Sequence, residues 1–300
     1  MVVDAVGAPR RRWRGARRSL DTARKLRDDP RAPSIMRSLG SVLLQLNRWR
    51  DAGRYRSVLR NGSEVYEQNC LSNSGERKSI ISTLEFRRGP LFRVRDGLSA
   101  AHTFYEIFLE DHYPRRLLRN ASVVVDVGAN IGLFSYYSRL HASAARIFAF
   151  EADPKTFALL SENMRGLGVD CLQRAVASFD GQIEFFSSPI SGWSSSYPVM
   201  GAADGQSVKV STVCLSRFLK QADIRCVDFL KVDVEGAEYD VLLGDAELLN
   251  LDIKCLVVEV DRVPRDETYE FRSLVERLRG KFRTVIERKQ DSAFPLLICE

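Results

Sequence analysis

Cysteine, histidine and long apolar runs are all scarce in this chain, and each scarcity removes a class of function. The six cysteines, at positions 70, 171, 214, 226, 255 and 299, form no C-x-x-C pair and stand near no histidine cluster. Neither a zinc site nor a disulfide framework is therefore expected, and free thiols fit a reducing compartment. Only three histidines occur, His102, His112 and His141. Packing or surface roles suit them, with His112 alone able to approach a strand end. No apolar run approaches the roughly 18 residues of a membrane span, and the first residues lack the apolar core of a secretory signal. The pair Arg17-Arg18 leads into Ser-Leu-Asp-Thr-Ala-Arg, not the apolar segment of a twin-arginine signal. A cytoplasmic location is the expectation. The dinucleotide fingerprint G-x-G-x-x-G is also missing, because Asn130 stands where its second glycine would be.

Charge is unevenly spread. Residues 1–31 hold ten Lys/Arg against four Asp/Glu, and residues 1–119 hold 25 against 13, whereas the rest holds 20 against 26. The basic excess belongs to the front, so a nucleic-acid modifying domain with a basic groove is not expected. Residues 1–33 read as a flexible basic arm, able at most to make weak contact with an anionic surface. Residues 34–119 read as an N-terminal α/β cap: a helix over 34–51, a turn at Asn61-Gly62, a strand pair over 80–86 and 91–94, and a helix over 99–111. The stretch between the turn and Gly75 carries no periodicity that assigns it.

Residues 120–300 carry the clearest pattern. Ser122 to Leu133 reads SVVVDVGANIGL, a buried strand that stops at Asp126 and enters a glycine turn and a helix. Gly128 and Gly132 permit a close backbone approach at the carboxyl end of a strand, where open α/β sheets bind ligands. Asp126, Gly128, Asn130 and Gly132 are thus candidate cofactor-binding residues. RIFAFE (146–151) is a second strand ending in an acid, and a carboxylate at Glu151 suits the two hydroxyls of a ribose. A third strand is expected over 170–176 and an extended piece over 182–186. The Ser-, Gly- and Pro-rich stretch 187–205 reads as a loop. DFLKVDV (228–234) is a further buried strand, running into Glu235-Gly236-Ala237-Glu238 and a helix carrying Val241 to Leu249. Asp233, Glu235 and Glu238 crowd one strand end, more carboxylates than helix capping needs, and the crowding would raise the basicity of Asp233. Such carboxylates admit a divalent metal, though it is not favoured and no metal ligand is assigned. CLVVEV (255–260) is a fifth strand, and after a helix over 264–280 an antiparallel pair, 282–287 with 294–299, closes the chain.

The expected fold is a doubly wound, Rossmann-like, mostly parallel seven-stranded α/β sheet with an antiparallel C-terminal pair. VVVDVGANIGLFS, FAFEADPKTFALLSENM and DFLKVDVEGAEYDVLLG together resemble the successive motifs of the FkbM-type S-adenosylmethionine-dependent methyltransferases, which belong to the class I superfamily. The resemblance covers roughly Arg88 to Glu259. It implies S-adenosyl-L-methionine as cofactor, its methionine part at Asp126, Gly128, Asn130 and Gly132, its ribose at Glu151, and Asp233 with Glu235 facing the methyl group and acceptor. The implied reaction is O-methylation of a small natural product or sugar-containing acceptor. Two departures stand out: Ala152 replaces a usual proline, and Leu215-Ser216 replaces a usual Leu-Asp. A non-catalytic sheet whose arm binds nucleic acid or lipid, and a nicotinamide-dependent oxidoreductase, are the alternatives. The sequence does not specify an oligomeric state.

Overall fold

The computed structural model describes residues 50–74, 79–186, 207–260, 271–288 and 296–300. The basic arm, nearly all of the helix expected over 34–51 and the loop expected over 187–205 lie outside these residues. Two compact units divide the chain, 1–92 and 93–300.

In the first unit, residues 50–58 are helical and α1 spans Gly62–Ser74. The Asn61-Gly62 turn forms as expected. Asn61 donates to Thr83 O at 2.9 Å and accepts from Glu85 N at 3.0 Å, while a Cβ at Gly62 would lie 2.4 Å from the Tyr55 backbone. Helix α1 escapes a periodicity search because two of the positions it buries are polar, Gln68 and Asn69. A short pair, Thr83–Glu85 with Leu91–Arg93, stands where the strand pair was expected.

The second unit opens with α2, Gly97–Phe104, whose N-cap Asp96 accepts from Leu98 N and Ser99 N. It runs directly into a π-helical turn at Tyr105–Leu109. Seven strands then build the large sheet: β1 Val123–Val127, β2 Arg146–Glu151, β3 Val169–Gln173, β4 Phe229–Val232, β5 Leu256–Glu259, β6 Val285–Arg288 and β7 Leu296–Cys299, in the order β6-β7-β5-β4-β1-β2-β3. Strands β1 to β5 pair in parallel, and β7 runs antiparallel to both β5 and β6. Helix α3 (Leu133–His141) follows β1, α4 (Pro154–Asn163) follows β2 and is capped by Asp153, α5 (Leu215–Gln221) precedes β4, and α6 (Phe271–Lys281) precedes β6. This is the expected fold class, with the reversal of strand order falling between β1 and β4.

Strands β1, β4 and β5 are apolar almost throughout because both faces are covered. One face buries Val125, Val127, Leu230, Val232 and Val258 with Leu219 of α5 and Leu278 of α6. On the other, Phe134 of α3 packs on Phe229 of β4 and on Tyr113, with ring centroids at 5.3 and 4.7 Å.

Two expectations need correction. The third strand ends at Gln173, since Arg174 N turns back to Leu172 O at 3.0 Å. Ala175–Ala177 then joins Gly181–Phe186 and Ser207–Cys214 in a separate three-stranded sheet. The helix expected through Val241 and Leu249 is instead a π turn at Asp240–Gly244 and a 3-10 turn at Leu248–Asn250. Asp245 breaks it: the buried carboxylate accepts from Ser216 N at 2.9 Å and Ser216 Oγ at 2.7 Å, anchoring the start of α5. Asp245→Ala should lower stability by about 1–3 kcal/mol, because two buried donors lose their acceptor. Denaturant titration with an unchanged midpoint would contradict this.

Candidate active site

The strand register lays the acids out along the carboxyl edge. Val127 pairs with Phe150 and Val232, and Val232 pairs with Val258. One residue further on, Glu151, Gly128, Asp233 and Glu259 therefore succeed one another across β2, β1, β4 and β5.

The glycine turn is held from three sides. Gly128 N and Ala129 N donate to Phe150 O at 3.0 and 2.8 Å. Asn130 N donates to Glu151 Oε2 at 2.9 Å, and Asp153 N donates to Glu151 Oε1 at 2.9 Å. From α4, Asn163 Nδ2 donates to Ile131 O at 3.0 Å. Gly128 has φ 78°, and a Cβ there would meet Asp233 O at 1.7 Å. Gly132, φ 94°, would push a Cβ to 2.7 Å from Met164 Cε. Asn130 is also left-handed, at φ 51°, a conformation asparagine tolerates better than most residues. Burial pushes the Glu151 carboxyl up to about 7, against the pull of the two backbone donors.

Asp126 is 0% exposed and faces inward. It accepts from Ser135 Oγ at 2.6 Å and lies 3.2 Å from Lys231 Nζ. The same ammonium donates to Gly128 O at 2.7 Å and sits 3.3 Å from Asp233 Oδ2. Burial lowers the proton affinity of Lys231, but Asp126 and Asp233 outweigh it and hold it charged.

Asp233 is partly exposed at the edge. Burial raises its proton affinity, Lys231 opposes, and Asp126 and Glu106 add to the rise. The carboxylates with the largest named effect on it are Asp126 and Glu106. Glu238 is buried and accepts from Val234 N at 3.0 Å and Gly236 N at 3.1 Å, so it shapes the turn after β4. Glu235 lies within that turn, half-buried, at φ 52°.

On the β5 side, buried His112 lies 3.7 Å from Glu106 and 3.6 Å from Glu259. Tyr113 packs beside it, with Lys231 Nζ 6.0 Å from the ring centre. Burial, then Asp233, Glu259 and Glu106, raise the Tyr113 hydroxyl well above its ordinary range. Motif spacing missed Glu106, Tyr113 and Lys231. The available signal was strand parity: Lys231 and Asp233 are two apart on one strand and so share a face. Glu106 and Tyr113 come from a segment far off in sequence, which no spacing rule connects. Among the described residues no group of three His, Cys, Asp or Glu side chains is arranged to hold a metal ion.

A model of the Methyltransferase FkbM domain matches residues 126–284. The chain belongs to this family of methyltransferases. It is 30% identical to Methyltransferase sdnD of Sordaria araneosa, over 65% of this chain and 92% of that one. To 31-O-demethyl-FK506 methyltransferase FkbM of Streptomyces tacrolimicus it is 28% identical, over 72% of this chain and 93% of the relative. To Methyltransferase 1 of Beauveria bassiana it is 30% identical over 46% of this chain, and there it spans 64% of the relative's length. Membership makes S-adenosylmethionine the cofactor, and the nicotinamide and non-catalytic alternatives are set aside. None of the described helices is long and apolar enough to cross a membrane.

Proposed function

We propose that this chain transfers a methyl group from S-adenosylmethionine to a hydroxyl of a small natural product or sugar-containing acceptor. The observation that carries the proposal is the placement, on adjacent strand ends, of Glu151, the turn at Gly128 to Gly132 and Asp233. The donor set suits the cofactor: each Glu151 oxygen accepts one backbone N–H and keeps a lone pair for a ribose hydroxyl. Carboxylates toward β4 suit a cationic centre. When bound, S-adenosylmethionine supplies an electrophilic methyl group on a positively charged sulfur.

Around it the chain's own residues have separate tasks. Glu151 binds the ribose. The Gly128 to Gly132 turn, pinned by Phe150, Glu151 and Asn163, gives the methionine part a rigid backbone wall, and Asp126 fixes that wall from behind through Ser135 and Lys231. Asp233 takes the acceptor hydroxyl's proton at its exposed carboxylate oxygen, aided by the burial that raises its basicity. Glu235, in the turn beyond it, orients the acceptor. Holding the two reactants in line contributes as much as the proton transfer. The 31-O-demethyl name of the Streptomyces relative supports a hydroxyl acceptor. Neither nucleic acid nor a metal ion enters the proposal.

Incubation with labelled S-adenosylmethionine and extracts of the host should yield a labelled, alkali-stable product. Absence of both product and cofactor binding would sink the proposal. Binding provides a second check. Glu151→Gln should weaken S-adenosylmethionine by about tenfold to a hundredfold in calorimetry, the loss expected for hydrogen bonds to a charged acceptor. Because ribose hydroxyls prefer the ionised carboxylate and Glu151 titrates near 7, wild-type affinity should rise between pH 6 and 8. In the variant that rise should be reduced, and equal affinities would put Glu151 outside the pocket.

A further inference from the structure

We propose that Lys231 is the positioning residue of this site, tying the cofactor turn to the acceptor-side carboxylate and keeping Asp126 and Asp233 together as anions around one buried ammonium. The proposal rests on the assignment of Asp233 to the acceptor side.

Lys231 is 4% exposed. Its three neighbours belong to three different pieces of the site: Asp126 at the end of β1, 3.2 Å away; Asp233 just beyond β4, 3.3 Å away; and Gly128 O in the glycine turn, at 2.7 Å. The ammonium hydrogen-bonds Gly128 O and forms ion pairs with the two carboxylates. A buried cation is tolerated only when paired, and two carboxylates more than meet that need. The geometry follows from the sheet, since Lys231 pairs with Asp126 in the β1/β4 register and shares its strand face with Asp233. The turn that carries the cofactor and the carboxylate that meets the acceptor are thus joined through a single side chain, and displacement of one must strain the other.

The groups facing this trio include Glu151 across the turn, Glu106 from the π-helical turn, Ser135 donating to Asp126 and the Tyr113 ring, with Glu259 and His112 packed behind Glu106 and Tyr113. His112 is the one titratable member of that set that is not acidic, and it is present in all three proteins compared. Without the ammonium, Asp126 and Asp233 would have to share a proton. The charge has a measurable consequence that mere packing by a lysine stem lacks.

The test compares thermal unfolding of the full chain without ligand at pH 5 to 8, for wild type, Lys231→Met and Lys231→Met/Asp233→Asn. Methionine keeps the unbranched stem and removes the charge. Two carboxylates without a counter-ion bind a proton more tightly in the folded than in the unfolded chain. The stability they allow is present while they are protonated and is lost as pH rises through the raised value. Lys231→Met should therefore melt close to wild type at pH 5 and fall progressively below it toward pH 8. Lys231 also lowers the proton affinity of Glu151, so part of the deficit belongs to Glu151, and the comparison of the single with the double variant, which share that loss, isolates the Asp126–Asp233 pair. The double variant, with one carboxylate fewer, should recover much of the deficit at pH 8. A deficit of the same size at every pH, or a double variant no better than the single, overturns the proposal. If Lys231→Met does not fold, the double variant decides, because its folding supports the proposal and its failure at every pH overturns it. Calorimetry with S-adenosylmethionine adds an independent reading. A cationic ligand displaces the shared proton, so the affinity of Lys231→Met should rise more steeply with pH than that of wild type, by up to about tenfold per unit. Failure of the wild type to bind the cofactor would count against the assigned site, while the melting comparison would still decide the role of Lys231.

Discussion

Asp233→Asn should lower turnover by about 10²–10⁴-fold while leaving the fold and most of the cofactor affinity intact. Asparagine keeps the shape of the side chain and can still accept a hydrogen bond from Lys231, so the turn remains anchored at Gly128 O. What disappears is the basic oxygen. Burial raises the proton affinity of Asp233, with Asp126 and Glu106 adding to the effect and Lys231 restraining it. This is the environment in which a carboxylate gains basicity at neutral pH. The rate should be measured as formation of the labelled product from host extract, in parallel with calorimetry of S-adenosylmethionine. Normal turnover would reduce Asp233 to a structural partner of Lys231 and shift the proton transfer to Glu235 or Glu259.

Gly128→Ala should be the most damaging single methyl group in the site. The glycine adopts φ 78°, and the added carbon would lie 1.7 Å from Asp233 O, a backbone atom that cannot rotate away. Either β1 and β4 must separate just beyond the Val127 to Val232 pair, or the turn must leave its bonds to Phe150 O. A loss of at least about 3 kcal/mol in unfolding free energy is expected, from left-handed strain and overpacking together. Cofactor binding should fall below detection in the fraction that still folds. Unfolding curves that coincide with wild type would show that the turn closes over β4 less tightly than described. At Gly132 the same change meets only the tips of Met164 and Leu160, which can shift, so Gly132→Ala should be milder.

Much of this protein was legible in its sequence because the signals are local. Strands β1, β2, β4 and β5 are mostly apolar, interrupted only by Asp126, Arg146 and Lys231, with an acid at or near each carboxyl end, as a parallel strand covered on both faces requires. The glycine turn was legible for a similar reason, as left-handed and closely approached backbone demands glycine at fixed spacing. The fold class and the placement of Glu151, Gly128 and Asp233 at strand ends followed from those runs, while the strand order β6-β7-β5-β4-β1-β2-β3 came only with the structure.

What tertiary structure alone decided is how charges meet across the chain. Sequence proximity made Glu235 and Glu238 the neighbours of Asp233, yet Glu238 is turned to the backbone of its own turn. The carboxylates with the largest named effect on Asp233 are Asp126 and Glu106, more than one hundred residues away in the numbering. Asp245 likewise accepts from Ser216, which precedes it by 29 residues, inside a stretch whose apolar spacing reads as one helix. Periodicity records which residues avoid water. It does not record which buried ion finds which counter-ion, because that depends on strand register and on segments such as Glu106 to Tyr113 folding back over the sheet edge, where the cost of an unpaired charge selects the partner.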